Sequence, residues 1–360
     1  MAVVIAARRS AVVPRGGAFA HLAIEDLAAP VVRACLADCG LDRVDELISA
    51  NAIGPGGNPA RRIALAAGLP EQVAGLTIDR QCAGGLDALL LAKALVDSGA
   101  AKVVLVGGVE SYSRRPLRLI THADGSPPTP YDEAPFTPWP DRNPSMSVAA
   151  AELARRLGIS RAEQDHWAVN SHAKALAAGA LPEIVAISGI STDQFPRALT
   201  LRTTERAAEV AGTITSANAA VAADAAAFCI VAQDHIAPEV ALKITAGTTL
   251  GDDPEQPGLA PVPAIANVLS AAGLTPSKLA QVELMEAYAV QAIACVRNAG
   301  LPAAIVNPKG GGLARGHPIG ASGAILAVRL FHDLVQGHGL AAIASAGGLG
   351  TAVLFERSGA

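Results

Sequence analysis

Asn307-Pro308-Lys309-Gly310-Gly311-Gly312-Leu313-Ala314-Arg315-Gly316-His317-Pro318-Ile319-Gly320-Ala321-Ser322-Gly323 is a glycine-dense turn that carries one histidine into an apolar helical run. Far upstream, Ile78-Asp79-Arg80-Gln81-Cys82-Ala83-Gly84-Gly85-Leu86 repeats the arrangement with a cysteine at the mouth of another apolar helix. A cysteine and a histidine brought together by folding are the layout of nucleophilic catalysis. The likeness extends past the turns. Residues 82–108 read as glycine turn, helix (86–98), strand (103–106) and Gly107-Gly108, and residues 317–348 read as glycine turn, helix (324–335), strand (340–344) and Gly347-Gly348. This is the signature of an internal duplication of a βαβ-type half. Two related halves turn equivalent loops toward one crevice, so Cys82 and His317 are expected to be neighbours.

Working outward, short aliphatic runs at 76–78, 103–106, 244–246, 303–306 and 340–344 alternate with alanine- and leucine-rich amphipathic stretches. That pattern is α/β, with strands buried on both faces. Residues 126–144 hold seven prolines with Tyr131, Phe136 and Trp139, too proline-rich for regular structure and too aromatic for a linker. They are expected to form an ordered loop that covers something. Helices follow at 148–157 and 161–178. The expected organisation is a first half beginning at 1–118, a lid or loop insertion at 119–206, the end of the first half at 207–236, and a second half at 237–360.

Bulk composition excludes several classes of function. The 360 residues are 51% hydrophobic and 17% charged, with net charge −4, enough for large cores and without the basic field a nucleic-acid partner needs. Cysteines at 35, 39, 82, 229 and 295 form no C-x-x-C pair and are odd in number, which points to free thiols in a reducing compartment and to no metal site. Cys35, Cys39, Cys229 and Cys295 read as core thiols. No apolar run approaches the roughly 20 residues of a membrane span and the N-terminus has no secretory pattern, so a cytoplasmic protein without membrane attachment is expected. Neither Gly-x-G-x-x-Gly with a downstream acid nor a P-loop stands in context, which sets aside dinucleotide and NTP binding.

Further blocks carry a resemblance. Asn58-Pro59-Ala60-Arg61, Ile214-Thr215-Ser216-Ala217-Asn218-Ala219 with Asp224, Gly258-Leu259-Ala260-Pro261-Val262-Pro263-Ala264 and Gly316-His317-Pro318-Ile319-Gly320-Ala321-Ser322-Gly323 stand in order along nearly the whole chain. Together they resemble the thiolase family, the acetyl-CoA acetyltransferases and 3-ketoacyl-CoA thiolases that make or cleave 3-ketoacyl-CoA by Claisen chemistry in fatty acid or ketone metabolism. The resemblance implies a five-layered αβαβα fold with two duplicated α/β halves and an inserted lid. It implies a homodimer, with a tetramer as the alternative, acting on acyl-CoA with no cofactor beyond that substrate. Cys82 falls on the nucleophile, at a helix N-terminus where free amides favour a thiolate. The amides of Cys82 and Ala346 fall on the oxyanion site, with Gly84 and Gly85 leaving the backbone open to the thioester. His317 falls on the histidine that takes the thiol proton. Met146, Ser216 and Tyr288 match positions lining the pantetheine or acyl channel.

Two positions depart from the family pattern. The usual Cys-x-Gly-Gly-Gly-x-Gly turn is here Ala344-Ser345-Ala346-Gly347-Gly348-Leu349-Gly350, and the usual Asn-Glu-Ala-Phe is Met285-Glu286-Ala287-Tyr288. Ala344 thus replaces the acid/base cysteine and Met285 an asparagine of an oxyanion site. Ser345 is the nearest polar stand-in, though a hydroxyl without an activating partner is a weak base; Glu286 is a candidate for orienting its neighbours. The expectation is an acyltransferase of thiolase type working through a Cys82 acyl-enzyme, with condensation or thiolysis impaired. The alternatives are acyl-CoA hydrolysis or transfer to a non-carbon acceptor, and a catalytically silent acyl-CoA-binding subunit.

Overall fold

The structure, a computed structural model, describes residues 1–236 and 241–358; the start of the second half expected at 237 lies outside them. The main strands are β1 (Ala2–Ser10), β2 (Glu46–Ala50), β3 (Ala74–Ile78), β4 (Val103–Glu110), β5 (Ala223–Gln233), β6 (Leu242–Gly251), β7 (Leu279–Leu284), β8 (Gly337–Ser345) and β9 (Leu349–Arg357). The main helices are α1 (Ile24–Cys39), α2 (Pro59–Ala66), α3 (Gly84–Asp97), α4 (Met146–Leu157), α5 (Arg161–Ala177), α6 (Pro261–Ala271), α7 (Ala289–Asn298) and α8 (Ile319–Asp333). The strands follow one path, β7-β8-β9-β6-β1-β5-β4-β2-β3.

The duplication is visible in the sheet, although among the described residues the second half has no ladder strand to match β3. In the first half β3, β2 and β4 are parallel, and β5 runs antiparallel to β4 and to β1. In the second half β7 and β8 are parallel, and β9 runs antiparallel to β8 and to β6. Among the described residues, the half-sheets pair where Val3 and Val4 of β1 meet Lys243 and Leu242 of β6. Strands such as β5, whose apolar residues are all buried, are covered on both faces. One core lies between the half-sheets around α3 and α8, a second under α1 and α2, and a third under α6 and α7. These cores separate five layers, αβαβα.

Glycine sets the thickness of the middle layer. A methyl on Gly85 would lie 2.4 Å from the Ala324 nitrogen, and one on Gly323 would lie 2.5 Å from that of Leu86. The backbones of α3 and α8 therefore touch. Residues 84–85 and 320–323, read from sequence as turns, are first turns of helices held at this crossing, and α8 begins five residues earlier than the expected 324. Gly107 and Gly108 lie inside β4, where a methyl on Gly108 would lie 2.0 Å from the Gly320 oxygen. Gly347 and Gly348, with φ of 78° and 76°, form a true turn between β8 and β9. The two Gly-Gly pairs are thus not equivalent. The expected strand at 303–306 is a single 3₁₀ turn, Ala303–Ile305, with one bridge from Val306 to Val282. Pro302 opens it and residues 303 and 304 are exposed, which leaves neither a ladder donor at its start nor a buried face.

Residues 111–222 are inserted between β4 and β5. Ser145 caps α4, and Ser160 with Glu163 forms a capping box on α5, as the sequence pattern requires. The proline-rich stretch pairs Arg118–Ile120 with Thr129–Tyr131. No helix among the described residues is long and apolar enough to cross a membrane.

Candidate active site

Cys82 and His317 meet at the crossing of α3 and α8. Cys82 lies in the one-turn helix Gln81–Ala83, entered through Gln81 at φ 49°. That left-handed conformation is uncommon for a side-chain-bearing residue. Asp79 holds it by accepting the Gln81 amide at 2.8 Å. On the other strand of chain, Gly316 at φ 117° turns the backbone into the site, and the His317 amide donates to the Val221 carbonyl at 2.7 Å.

The His317 Nε2 stands 3.1 Å from the Cys82 Sγ, and its Nδ1 stands 2.7 Å from the Ser322 Oγ. The Ser322 hydroxyl donates to the Pro318 carbonyl at 3.2 Å, so its oxygen is free to accept from Nδ1–H. The neutral imidazole then turns its Nε2 lone pair to the thiol. Burial lowers the His317 pKa to about 4. Burial also raises Cys82 to about 12, against the amides of Cys82 and Ala346, which donate to its sulfur. The resting pair is therefore a neutral thiol and a neutral imidazole. This corrects the expectation of a thiolate favoured by the helix N-terminus: the amides are present, and desolvation outweighs them. A second correction concerns Gly84 and Gly85, which do not open the backbone to substrate. They are buried, and methyls there would strike Ala50 and Ala324.

Cys82 and His317 face a cavity of about 450 Å³ whose lining includes Ala344, Ala346, Met146 and Tyr288. The proline-rich loop closes part of it with Phe136. The Tyr288 hydroxyl is 3.1 Å from that of Ser147. Ser216 is exposed and lies outside the cavity lining; its turn is tied back by its amide to the Ala208 carbonyl. The Ser345 hydroxyl donates to the Arg80 carbonyl at 2.9 Å, a contact that links two turns and supplies no base. Cys35, Cys229 and Cys295 are buried and Cys39 is half-buried.

The chain matches the thiolase N-terminal domain over residues 2–235 and the thiolase C-terminal domain over residues 239–357. It belongs to the thiolase family. By class it is therefore an acyltransferase. Over 99% of both chains it is 37% identical to a Bacillus subtilis protein named "Putative acetyl-CoA C-acetyltransferase YhfS", and it is 35% identical to a Staphylococcus aureus protein named "Putative acetyl-CoA C-acetyltransferase VraB", again over 99% of each. A crystal structure of the Bacillus anthracis acetyl-CoA acetyltransferase superposes with TM-score 0.91 at 32% identity, covering 99% of this chain and 98% of that one.

Within this thiolase the two departures are physically distinct. Ala344 is part of the wall of the cavity that Cys82 and His317 face. Met285 is 4% exposed, and a methyl on Gly312 would lie 2.5 Å from its Cε. It packs beneath the histidine turn, outside the cavity lining. Glu286 is a buried hub whose carboxylate accepts from Trp167 Nε1 (2.9 Å), Ser171 Oγ (2.7 Å), Asn307 Nδ2 (2.9 Å) and the Leu313 amide (3.3 Å). It ties α5 to the turn that delivers His317.

Sequence reasoning assigned no role to Ser322 or to the Asp193–Arg315 pair. Ser322 stands in the quoted motif five residues after His317, so a helix starting at 319 would have pointed to it. Asp193 accepts from Arg315 Nε (2.8 Å), Arg9 Nη1 (2.7 Å) and the Val12 amide (2.9 Å). It lies in irregular sequence, where no spacing marks it.

Proposed function

We propose that this thiolase transfers acyl groups from acyl-CoA through an acyl-enzyme on Cys82. The observation that carries the reading is the 3.1 Å contact between His317 Nε2 and Cys82 Sγ at the wall of the cavity. As the sulfur attacks the thioester carbonyl, its proton passes to Nε2. The amides of Cys82 and Ala346 are placed to receive the developing oxyanion, while Ser322 holds the imidazole tautomer. CoA leaves as the thiol, taking up a proton that the imidazolium can supply. Because the resting pair is neutral, proton transfer accompanies attack.

A carbon–carbon step needs a base at the α-carbon of the acceptor. Ala344 supplies none and the Ser345 hydroxyl is committed to Arg80, which favours an acceptor that requires no such deprotonation or brings its own acidity. Met146 and Tyr288 serve as acyl or pantetheine wall in this reading, whereas Ser216 could act only on a part of CoA outside the cavity. No cofactor beyond the thioester enters these steps. A homodimer is supported by β3, an exposed edge strand with Leu76 at its surface, since an open edge is a template for pairing.

Product analysis tests the reading. With acetyl-CoA alone, the wild type is expected to release CoA without accumulating acetoacetyl-CoA, and Ala344→Cys to gain condensation by about 10² or more. Wild-type condensation at the rate of Ala344→Cys would contradict the assignment of Ala344 as a lost base. Free acetate as the sole product would select hydrolysis.

A further inference from the structure

We propose that Arg15 and Arg115, gathered on Tyr112, together with Arg118 in the wall of the same cavity, form a subsite for a carboxylate at the far end of the transferred acyl chain. The proposal rests on the acyltransferase reading above and names its substrate class, a dicarboxylic acid monothioester.

Three guanidiniums line the same cavity as Cys82. Arg15 and Arg115 stand 5.8 and 5.0 Å from the centroid of the Tyr112 ring, so one aromatic platform holds both cations. Arg118 is fixed by Nη2 to the Ala52 carbonyl at 3.1 Å, beside Ile53, which also lines the cavity. Among the described residues neither Arg15 nor Arg118 makes an ion pair. Arg115 pairs with Asp132 at 2.8 Å, and that carboxylate is 88% exposed; such a solvated pair is weak and open to competition. The other acid of the lining is Glu133, which makes no ion pair among the described residues.

Guanidiniums that face a cavity are the natural partners of a carboxylate or phosphate. The acyl carboxylate is favoured over the CoA phosphates by position. The platform lines the same cavity of about 450 Å³ as the reacting sulfur, whereas the CoA diphosphate lies at the far end of the long pantetheine arm. In the same lining, Met146, Ala149, Ala150 and Leu153 give the wall an apolar surface suited to methylenes.

The test measures binding to Cys82→Ala, which cannot be acylated, by calorimetry with glutaryl-CoA against pentanoyl-CoA and adipyl-CoA against hexanoyl-CoA. The same pairs are then compared with Arg118→Gln and Arg15→Gln added. Arg43→Gln, exposed just ahead of the opposite end of β2 from the site, controls for net charge. The expected result is tighter binding of the carboxylated member by about tenfold or more, a preference that falls toward unity in Arg118→Gln and Arg15→Gln and persists in Arg43→Gln. Equal affinities at the outset would overturn the proposal. So would equal weakening of both members in the arginine variants, which would assign these side chains to the CoA phosphates. A wild type that forms no acyl adduct would instead defeat the acyl-enzyme reading and leave this binding comparison standing.

Discussion

The two halves present their reactive side chains from equivalent places, Cys82 ahead of α3 and His317 ahead of α8, yet hold them by different means. The cysteine turn is held by one left-handed residue, by the exposed Asp79 accepting from the Gln81 amide and side chain, by the Ser345 hydroxyl on the Arg80 carbonyl, and by a glycine crossing. The histidine turn is held by buried side chains, with Arg315 clamped to Asp193 and donating to the Lys309 and Gly310 carbonyls, and with Glu286 and Ser171 gripping Leu313 and Gly311. Asp193, Ser171 and Trp167 all come from the insertion. The difference teaches that a duplicated frame supplies the meeting point, and that the insertion fixes the histidine.

The largest effect expected is at the histidine itself. His317→Ala removes the proton acceptor and should slow acylation of Cys82 by about 10² to 10⁴, read from the rate of CoA release; a loss below tenfold would break the pairing of the two turns. Next comes the clamp. Asp193→Ala leaves the nearly fully buried Arg315 without its carboxylate and Arg9 with Glu183 alone, and should cost about 3 to 5 kcal/mol in denaturant unfolding. If instead Asp193→Ala unfolds like the wild type, the insertion does not hold the histidine turn.

The thiol offers a test through pH. Burial raises Cys82 to about 12, so its thiolate fraction should grow about tenfold for each pH unit from 7 past 10, and alkylation of Cys82 by iodoacetamide should show no plateau there. A plateau near 9 would mean an ordinary thiol. The smallest effect is expected on the cysteine side. Asp79→Ala removes the exposed acceptor of the Gln81 amide and side chain and should cost no more than about 1 kcal/mol, again by denaturant; a loss as large as that of Asp193→Ala would erase the contrast between the halves.

Much of this was legible in the chain. The repeated order of glycine turn, helix and strand announced the duplication, and the Gly-His-Pro-Ile-Gly run marked where the histidine would emerge. The roles of the glycines were not legible, because a glycine that permits a turn and one that permits two helices to touch are the same letter. The strand expected at 303–306 failed for a local reason, Pro302 at an exposed edge. The buried network around Asp193 was invisible because its members, Arg9, Asp193 and Arg315, are far apart in sequence and joined only by the fold. The neutral state of the Cys82–His317 pair also needed the structure, since burial decides it and no motif encodes burial.

The central claim is that Cys82, with His317 as its proton acceptor, carries the acyl group. It is tested most directly by intact-protein mass after mixing with acetyl-CoA and longer acyl-CoAs, with free CoA followed in parallel. The account predicts a single acyl adduct on the wild type, none on Cys82→Ala, and slow formation on His317→Ala. An adduct that persists in Cys82→Ala, or no adduct with any thioester, would contradict it.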